Sequence, residues 1–408
     1  MSGWPYAFFF WTGFAVVVYA YIGYGLLLWA LLQLKRLWVG KPEVPASSTD
    51  FKITFIVCAY NEEKWIAQKI KNSLQLNYPA ASIRFVVMTD GSDDQTTQIA
   101  QHTFEIIQPN SAYFVLHEPE RKGKIAAFHR AMTLFGKWEN CPDEHHSIVS
   151  TDANTLLNLE ALHYLTRHFN TSSIGAVAGE KRIKMEQADA ASAAGEGIYW
   201  RYESTLKKWD AELWSVIGAA GELFAFRAQL YEPVPEDTIV EDFYLTTKIA
   251  MKGYRVAYEP SAFAVESSSA SVAEELKRKV RIAAGGLQAA WRLRALINVF
   301  QYGTLSFQYI SHRLLRWTLA PIFLPILFLL ALYLAYQGNK AYILFFSLQL
   351  LFYAMALLGW MLERRKMKVK LFFIPYYFCL MNYAMYAGFI RLLKKQQSVV
   401  WEKSERAD

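Results

Sequence analysis

The first 34 residues, Met1 to Leu34, contain no charged side chain, and three more uncharged runs crowd the last hundred: Trp317 to Gln337, Ala341 to Leu362 and Leu371 to Ile390. A helix needs about 20 predominantly apolar residues to cross a bilayer. Tyr6 to Leu34 exceeds that length, is too long for a signal-peptide core, and is followed by no small-residue cleavage site. Four spans are therefore expected, around a polar middle. Composition agrees: hydrophobic residues make up 53% and charged residues only 19%, against about 25% in ordinary soluble chains. Disordered, collagenous and disulfide-scaffold classes are excluded.

The net charge is +7, and many basic residues flank the apolar runs. Lys35, Arg36 and Lys41 follow the first; Arg364, Arg365, Lys366, Lys368 and Lys370 separate the last two. Basic flanks mark the cytoplasmic side. That places the N-terminus outside, with residues 35–316 and 363–370 in the cytoplasm, in a multi-pass plasma (inner) membrane protein. Arg391, Lys394 and Lys395 conflict with this, because four spans leave the tail outside. Either the last segment, broken by Pro375, does not cross fully, or those charges sit at the outer face. No zinc-finger spacing or aromatic-basic RNA signature occurs, so no nucleic-acid partner is expected. Three scattered cysteines, Cys58, Cys141 and Cys379, suit a reducing compartment.

The expected organisation is an N-terminal transmembrane helix (1–34), a cytoplasmic domain (50–295), an interfacial amphipathic segment (296–316), three C-terminal transmembrane segments (317–393) and a tail (394–408). Within 50–295 the pattern alternates. Strands are predicted at Ile53–Val57, Phe85–Met88, Phe114–Leu116 and Ser147–Ser150. Helices are predicted over Glu62–Leu76, Asp94–Phe104 and 124–137. Such alternation makes an α/β domain with a mostly parallel, Rossmann-like sheet. Ligands bind such sheets where strands end.

Polar clusters follow those strand ends: Ala59-Tyr60-Asn61-Glu62, Thr89-Asp90-Gly91-Ser92-Asp93-Asp94 and Thr151-Asp152-Ala153-Asn154. Val240-Glu241-Asp242 opens a later helix. Singly, each also suits helix capping or a turn. Together they gather carboxylates at one rim, which is costly unless a cation or a pKa-dependent task is present. Asp152 and Asn154 are hard oxygen ligands suited to Mg2+ or Mn2+ on phosphate oxygens. Arg121-Lys122-Gly123-Lys124 lacks Walker A spacing, and no GxGxxG fingerprint exists.

In order and in kind, these motifs resemble the family 2 glycosyltransferases with a GT-A fold. More narrowly they are similar to the membrane-integrated branch of cellulose, hyaluronan, chitin-oligosaccharide and poly-N-acetylglucosamine synthases. The resemblance implies a GT-A domain inserted between transmembrane helices. It also implies an inverting transfer from a nucleotide sugar, expected to be a UDP-sugar, to a growing saccharide, with export as a further expectation. By position, Ala59, Tyr60, Asn61 and Glu62 match the start of the nucleotide pocket, Asp90 a nucleoside contact, and Lys124 a lysine near base and phosphates. Asp152 and Asn154 match the metal-binding Asp-x-Asp. Gly218, Gly221 and Glu222 match a glycine-rich acceptor stretch. Glu241-Asp242 matches the pair whose aspartate is the catalytic base.

Arg278 and Arg281 align with the arginines of a Gln/Arg-x-x-Arg-Trp motif and lie on one helical face, where guanidinium forks suit phosphate. Ile282 replaces that motif's tryptophan, and Trp401–Arg406 resembles the synthases' tail motif. The Ile282 departure keeps a second reading open, transfer of one sugar to a lipid carrier such as polyprenyl phosphate. A third is a non-catalytic membrane scaffold, against which intact Asp90, Asp152 and Asp242 count. With so few spans, a homodimer or partner subunit is expected for any product conduit.

Overall fold

The computed structural model describes residues 4–40, 45–46, 50–107, 112–184, 190–267, 271–365, 367 and 369–394, with backbone only for 190–199. The tail motif at 401–406 lies outside the described residues, as does most of the 394–408 tail. The chain divides into two compact units. A helical unit draws on Met1–Leu37, Met185–Leu206 and Ser271–Gln397, and a sheet unit on Trp38–Lys184 and Lys207–Ala270.

Among the described residues the sheet unit holds eight strands: β1 (Lys52–Ala59), β2 (Ile83–Asp90), β3 (Tyr113–Glu118), β4 (His146–Asp152), β5 (Thr155–Leu157), β6 (Ile174–Lys184), β7 (Leu223–Arg227) and β8 (Arg255–Ser267). Their order is β3-β2-β1-β4-β7-β6-β8-β5. β1 pairs in parallel with β2 and β4, β2 with β3, and β6 with β8. β7 runs antiparallel between β4 and β6, and β5 antiparallel to β8.

β1 reads as an unbroken apolar run because both of its faces are covered. Ile53, Phe55 and Val57 alternate onto one face, in a core shared with Ile66 and Ile70 of the helix Ile66–Leu74, Phe104 of Thr96–Ile107, and Leu162 and Leu165 of Ala161–Thr166. The opposite face of β1 and β2 takes the helix Lys124–Phe135, whose Ala127 and Ala131 are fully buried. Those three parallel strands and β4 run the same way, so Tyr60, Asp90 and Asp152 emerge at one edge of the sheet.

Among the described residues, three helices are long and apolar enough to cross a membrane: Trp4–Val39, Leu319–Tyr336 and Lys340–Arg364. The fourth apolar run forms the helix Lys370–Leu393, which continues through Pro375 and lies outside that set. Phe10, Leu327, Ala331, Leu334 and Tyr342 form a shared core, and Gly13 lets the first helix approach Phe323, whose ring is 2.6 Å from the Cβ position. A π turn at Tyr19–Gly23 takes carbonyls out of the regular ladder. Ala20 O accepts from Arg316 Nε (2.8 Å), and Tyr21 O from the Tyr202 hydroxyl (2.7 Å). Residues 299–317, within the segment expected at the interface, are a run of short helical turns that includes a π turn at Tyr309–Leu314.

Candidate active site

The loops after β1 and β2 are stitched to each other. Asn61 takes a left-handed conformation, φ 52°, which asparagine tolerates better than most residues. Its side chain donates to Asp93 Oδ1 (2.6 Å) and accepts from Asp93 N (3.1 Å). Glu62 N donates to Thr96 Oγ1 at 2.7 Å. The Arg121 guanidinium lies 3.4 Å from the centre of the Tyr60 ring, a stacked platform at the strand edge. Ala59 is buried as the last residue of β1.

Asp90 is buried and turned toward the chain itself. Its Oδ2 accepts from Lys122 N (3.0 Å) and Gly123 N, and its Oδ1 from Arg130 Nη2 (2.9 Å). Gly91 is required beside it, since a Cβ there would come within 2.4 Å of Arg121 Cβ at φ 65°. Asp90 thus fixes the 121–123 loop that delivers Lys124 to the first turn of its helix.

Lys124 is the centre of the charged group. Its Nζ lies 2.7 Å from Asp152 Oδ1 and 2.7 Å from Glu241 Oε1. Burial disfavours its charge, but Asp152 and Glu241 outweigh that and hold the ammonium well above its ordinary range. Asp242 follows Glu241 at the start of the helix Glu241–Met251, where the backbone dipole favours negative charge. Burial first, then Glu241, nonetheless pushes the Asp242 carboxyl up to about 7 despite Lys124. A Cβ on Gly221 would stand 3.4 Å from Asp242 Oδ2 and 3.5 Å from Lys124 Nζ, so the missing side chain leaves both groups approachable. Gly218, at φ 80°, lies so close to Phe243 that a Cβ would fall 1.9 Å from its ring. Ala219 N donates to Thr246 Oγ1, which itself donates to Asp242 O, tying the glycine-rich stretch to the Asp242 helix. Glu222 is ion-paired with the buried Lys181, which also holds Glu266.

Asp152 ends β4 and Asn154 lies in the turn before β5; both are partly exposed. Among the described residues, no three His, Cys, Asp or Glu side chains converge as a metal cluster. Asp152 and Asn154 still offer the one or two hard oxygens that suffice for Mg2+ or Mn2+ when a diphosphate completes the shell. The donor set fits a metal shared with substrate, and does not fit an all-protein cage.

The structure therefore brings together Lys124, Asp152, Glu241, Asp242 and Gly221, with Tyr60, Asn61, Glu62 and Asp90 along the same strand edge. Arg278 and Arg281 belong to the helical unit, on Val272–Arg292. There Arg278 makes a two-pronged pair with Glu275, Nε to Oε2 and Nη2 to Oε1 at 3.0 Å each. Ile282 is 38% exposed on that helix. Arg121, Arg130 and Lys181 are site-flanking residues that sequence reasoning missed. Arg121 adjoins the quoted Lys122-Gly123-Lys124 run, while Arg130 and Lys181 carry no local signal.

Residues 51–285, more than half of the chain, match the profile described as "Glycosyltransferase like family 2". Over 259 residues the chain is 25% identical to the poly-beta-1,6-N-acetyl-D-glucosamine synthase of Staphylococcus aureus (strain COL), covering 62% of this chain and 58% of that protein. The synthase of the same name from Staphylococcus epidermidis is 25% identical over 247 residues, 59% of this chain and 56% of its own. The chain thus spans little more than half the length of these curated relatives. Among solved structures, the mannosyltransferase PcManGT from Pyrobaculum calidifontis, in complex with GDP-Man and Mn2+, superposes with a TM-score of 0.69 at 22% identity. That match covers 95% of this chain and 99% of PcManGT. The sheet has the GT-A fold, and the chain belongs to glycosyltransferase-like family 2.

Proposed function

We propose that this protein is an inverting, divalent-metal-dependent glycosyltransferase acting at a membrane, with a nucleotide sugar as donor and a growing saccharide as acceptor. The observation that carries this reading is the placement of Asp242. Its carboxyl is raised to about 7 beside the gap at Gly221 and within the charged group centred on Lys124. An acceptor hydroxyl is a poor nucleophile, and a carboxylate with a pKa near ambient pH can take its proton as C1 is attacked. Direct displacement inverts the anomeric carbon. Lys124 holds positive charge where the departing diphosphate accumulates negative charge. A bound Mg2+ or Mn2+, held by Asp152 and Asn154, would supply Lewis-acid stabilisation of that leaving group. Tyr60, Asn61 and Glu62 border the nucleoside end, with Arg121 stacked on Tyr60. Asp90 keeps that loop in place, and Gly218, Gly221 and Glu222 flank the acceptor side.

A UDP-sugar is the favoured donor because the similar curated proteins are named as N-acetylglucosamine polymer synthases. GDP-mannose is the competing donor, since PcManGT was solved with it. The test is release of UDP or GDP by detergent-purified protein from a panel of both donor classes, with Mg2+ or Mn2+ present. Turnover with one donor and an inverted product by NMR is expected, and no release from any donor overturns the reading. One observation favours a second acceptor: Ile282 stands where the polymer synthases carry tryptophan. Product analysis separates the two, an oligomer ladder against a single sugar on polyprenyl phosphate. The arginines Arg278 and Arg281 are proposed to serve the donor phosphates only in the form that the family motif implies.

A further inference from the structure

The helix Ile66–Leu74 puts a lysine where its apolar face is expected. Lys69 is fully buried, and among the described residues it has no ion pair. A buried ammonium without a carboxylate is costly unless its hydrogen bonds are complete. Here they are complete, and all go to one short stretch. Lys69 Nζ donates to Thr151 Oγ1 (2.8 Å), Thr155 O (2.9 Å) and Thr155 Oγ1 (3.3 Å).

The two hydroxyls pass the constraint onward. Thr155 Oγ1 donates to Asp152 O at 2.9 Å, closing the turn that carries Asp152 and Asn154. Thr151 Oγ1 donates to Glu222 O at 2.8 Å, which reaches the glycine-rich stretch. Each hydroxyl has a backbone carbonyl to donate to, and the two hydroxyls also lie 3.1 Å from each other, so Lys69, Thr151 and Thr155 form one connected network. A lysine Nζ offers up to three donors from a single atom, which fits that set; burial lowers its pKa to about 7, with Asp152 acting the other way.

We propose that Lys69 is a positioning residue: its buried ammonium sets the Asp152–Asn154 turn and, through Thr151, the backbone at Glu222, so that the diphosphate and acceptor sides of the site share one register. This rests on the reading of Asp152 and Asn154 as the residues that hold a divalent ion with the donor diphosphate. Residues that orient metal ligands change metal affinity by about 10–100-fold when removed.

The experiment is Mn2+ binding to the full chain in detergent, read by EPR with UDP or GDP present, together with the melting temperature. Lys69→Met keeps the aliphatic stem and removes all three donors; it is expected to weaken Mn2+ binding at least about tenfold. Thr151→Val keeps the lysine and breaks the link to Glu222; a smaller, several-fold weakening is expected. If Lys69→Met lowers the melting temperature but binds Mn2+ as the wild type does, the residue serves packing alone and the proposal is overturned. Should Lys69→Met fail to fold, Thr151→Val decides, and unchanged Mn2+ affinity overturns the proposal. Asp152→Asn separates the underlying reading. Loss of Mn2+ binding there with Lys69→Met unaffected removes only the role of Lys69, whereas wild-type binding by Asp152→Asn removes the metal reading and this inference with it.

Discussion

In the helical unit one carboxylate, Glu203, meets three basic side chains, whereas in the sheet unit three carboxylates crowd around one ammonium, Lys124. Glu203 is buried, with Arg313 Nη1 at 2.6 Å and His312 Nε2 and Arg316 Nη1 each at 3.3 Å. Burial works against its charge, but Arg313, His312 and Arg316 overcome it and hold the carboxyl well below the usual range. Asp152, Glu241 and Asp242 share Lys124, and Asp242 is left with its carboxyl pushed up to about 7. Both groups are dense in charge. The first is satisfied, and ties the stretch before the second span to helix Ala190–Leu213. The second leaves negative charge in excess, which is the state a site has before a cation and a hydroxyl proton arrive. Charge density alone does not mark a site; unbalanced charge does.

The sharpest way to break the comparison is to neutralise one member of each group. Asp242→Asn removes the proposed base and is expected to cut turnover by about 10²–10⁴-fold, measured as nucleoside diphosphate release under saturating donor. Glu203→Gln is expected to leave the chemistry in place and cost stability instead, about 3 kcal/mol, because it strands buried cations. Thermal unfolding in detergent checks it. An inactive but fully stable Glu203→Gln protein would show that the two groups are not divided as described.

A smaller effect comes from pH. In the proposed role Asp242 takes a proton only when ionised, and its carboxyl is raised to about 7. Below that value kcat/KM is expected to fall by about tenfold per pH unit, equivalent to about 1.4 kcal/mol each. A flat profile between pH 5.5 and 7 would take the base role away from Asp242. Glu203 itself predicts no change in that window, since its carboxyl is held well below the usual range.

How much of this was legible beforehand follows from which contacts are local. β1, β2 and β4 stand out in the sequence because a strand buried on both faces is a largely apolar run with polar residues at its end. The same logic exposed Asp90 and Asp152, while the Glu241-Asp242 pair stood out as acidic residues opening a helix. β7 is only five residues long, Leu223–Arg227, and enters antiparallel between strands far apart in sequence. β8 carries Pro260 and sits next to a register shift against β6. Neither offers a clean alternation. Lys124 was readable as a lysine opening a helix, but its contact with Glu241 spans more than a hundred residues. Lys69 was invisible for the opposite reason. A lysine in an amphipathic helix reads as solvent-facing, and only the fold brings Thr151 and Thr155 to it. Arg278 was legible as a phosphate fork, yet its fork is engaged by Glu275 one turn away.

The smallest expected effect is also the one that ties activity to stability at a single residue. A carboxyl whose folded value is raised from 3.8 to about 7 favours the folded state only while protonated. That contribution is fully present below about pH 4 and is lost as pH rises through 7, leaving at pH 8 a charge that is buried and also faces Glu241. Asp242→Asn removes the charge and keeps the shape, so at pH 8 it is expected to stabilise the protein and raise its melting temperature. The gain should shrink as pH falls and vanish near pH 4, which melting temperatures of wild type and variant across pH 4–8 would display. Glu203→Gln should show the reverse over the same range, destabilised throughout. A variant that loses activity without gaining stability at pH 8 would mean that the excess negative charge at Asp242 is already relieved by neighbours, and the contrast between the two charge groups would then be one of catalysis alone.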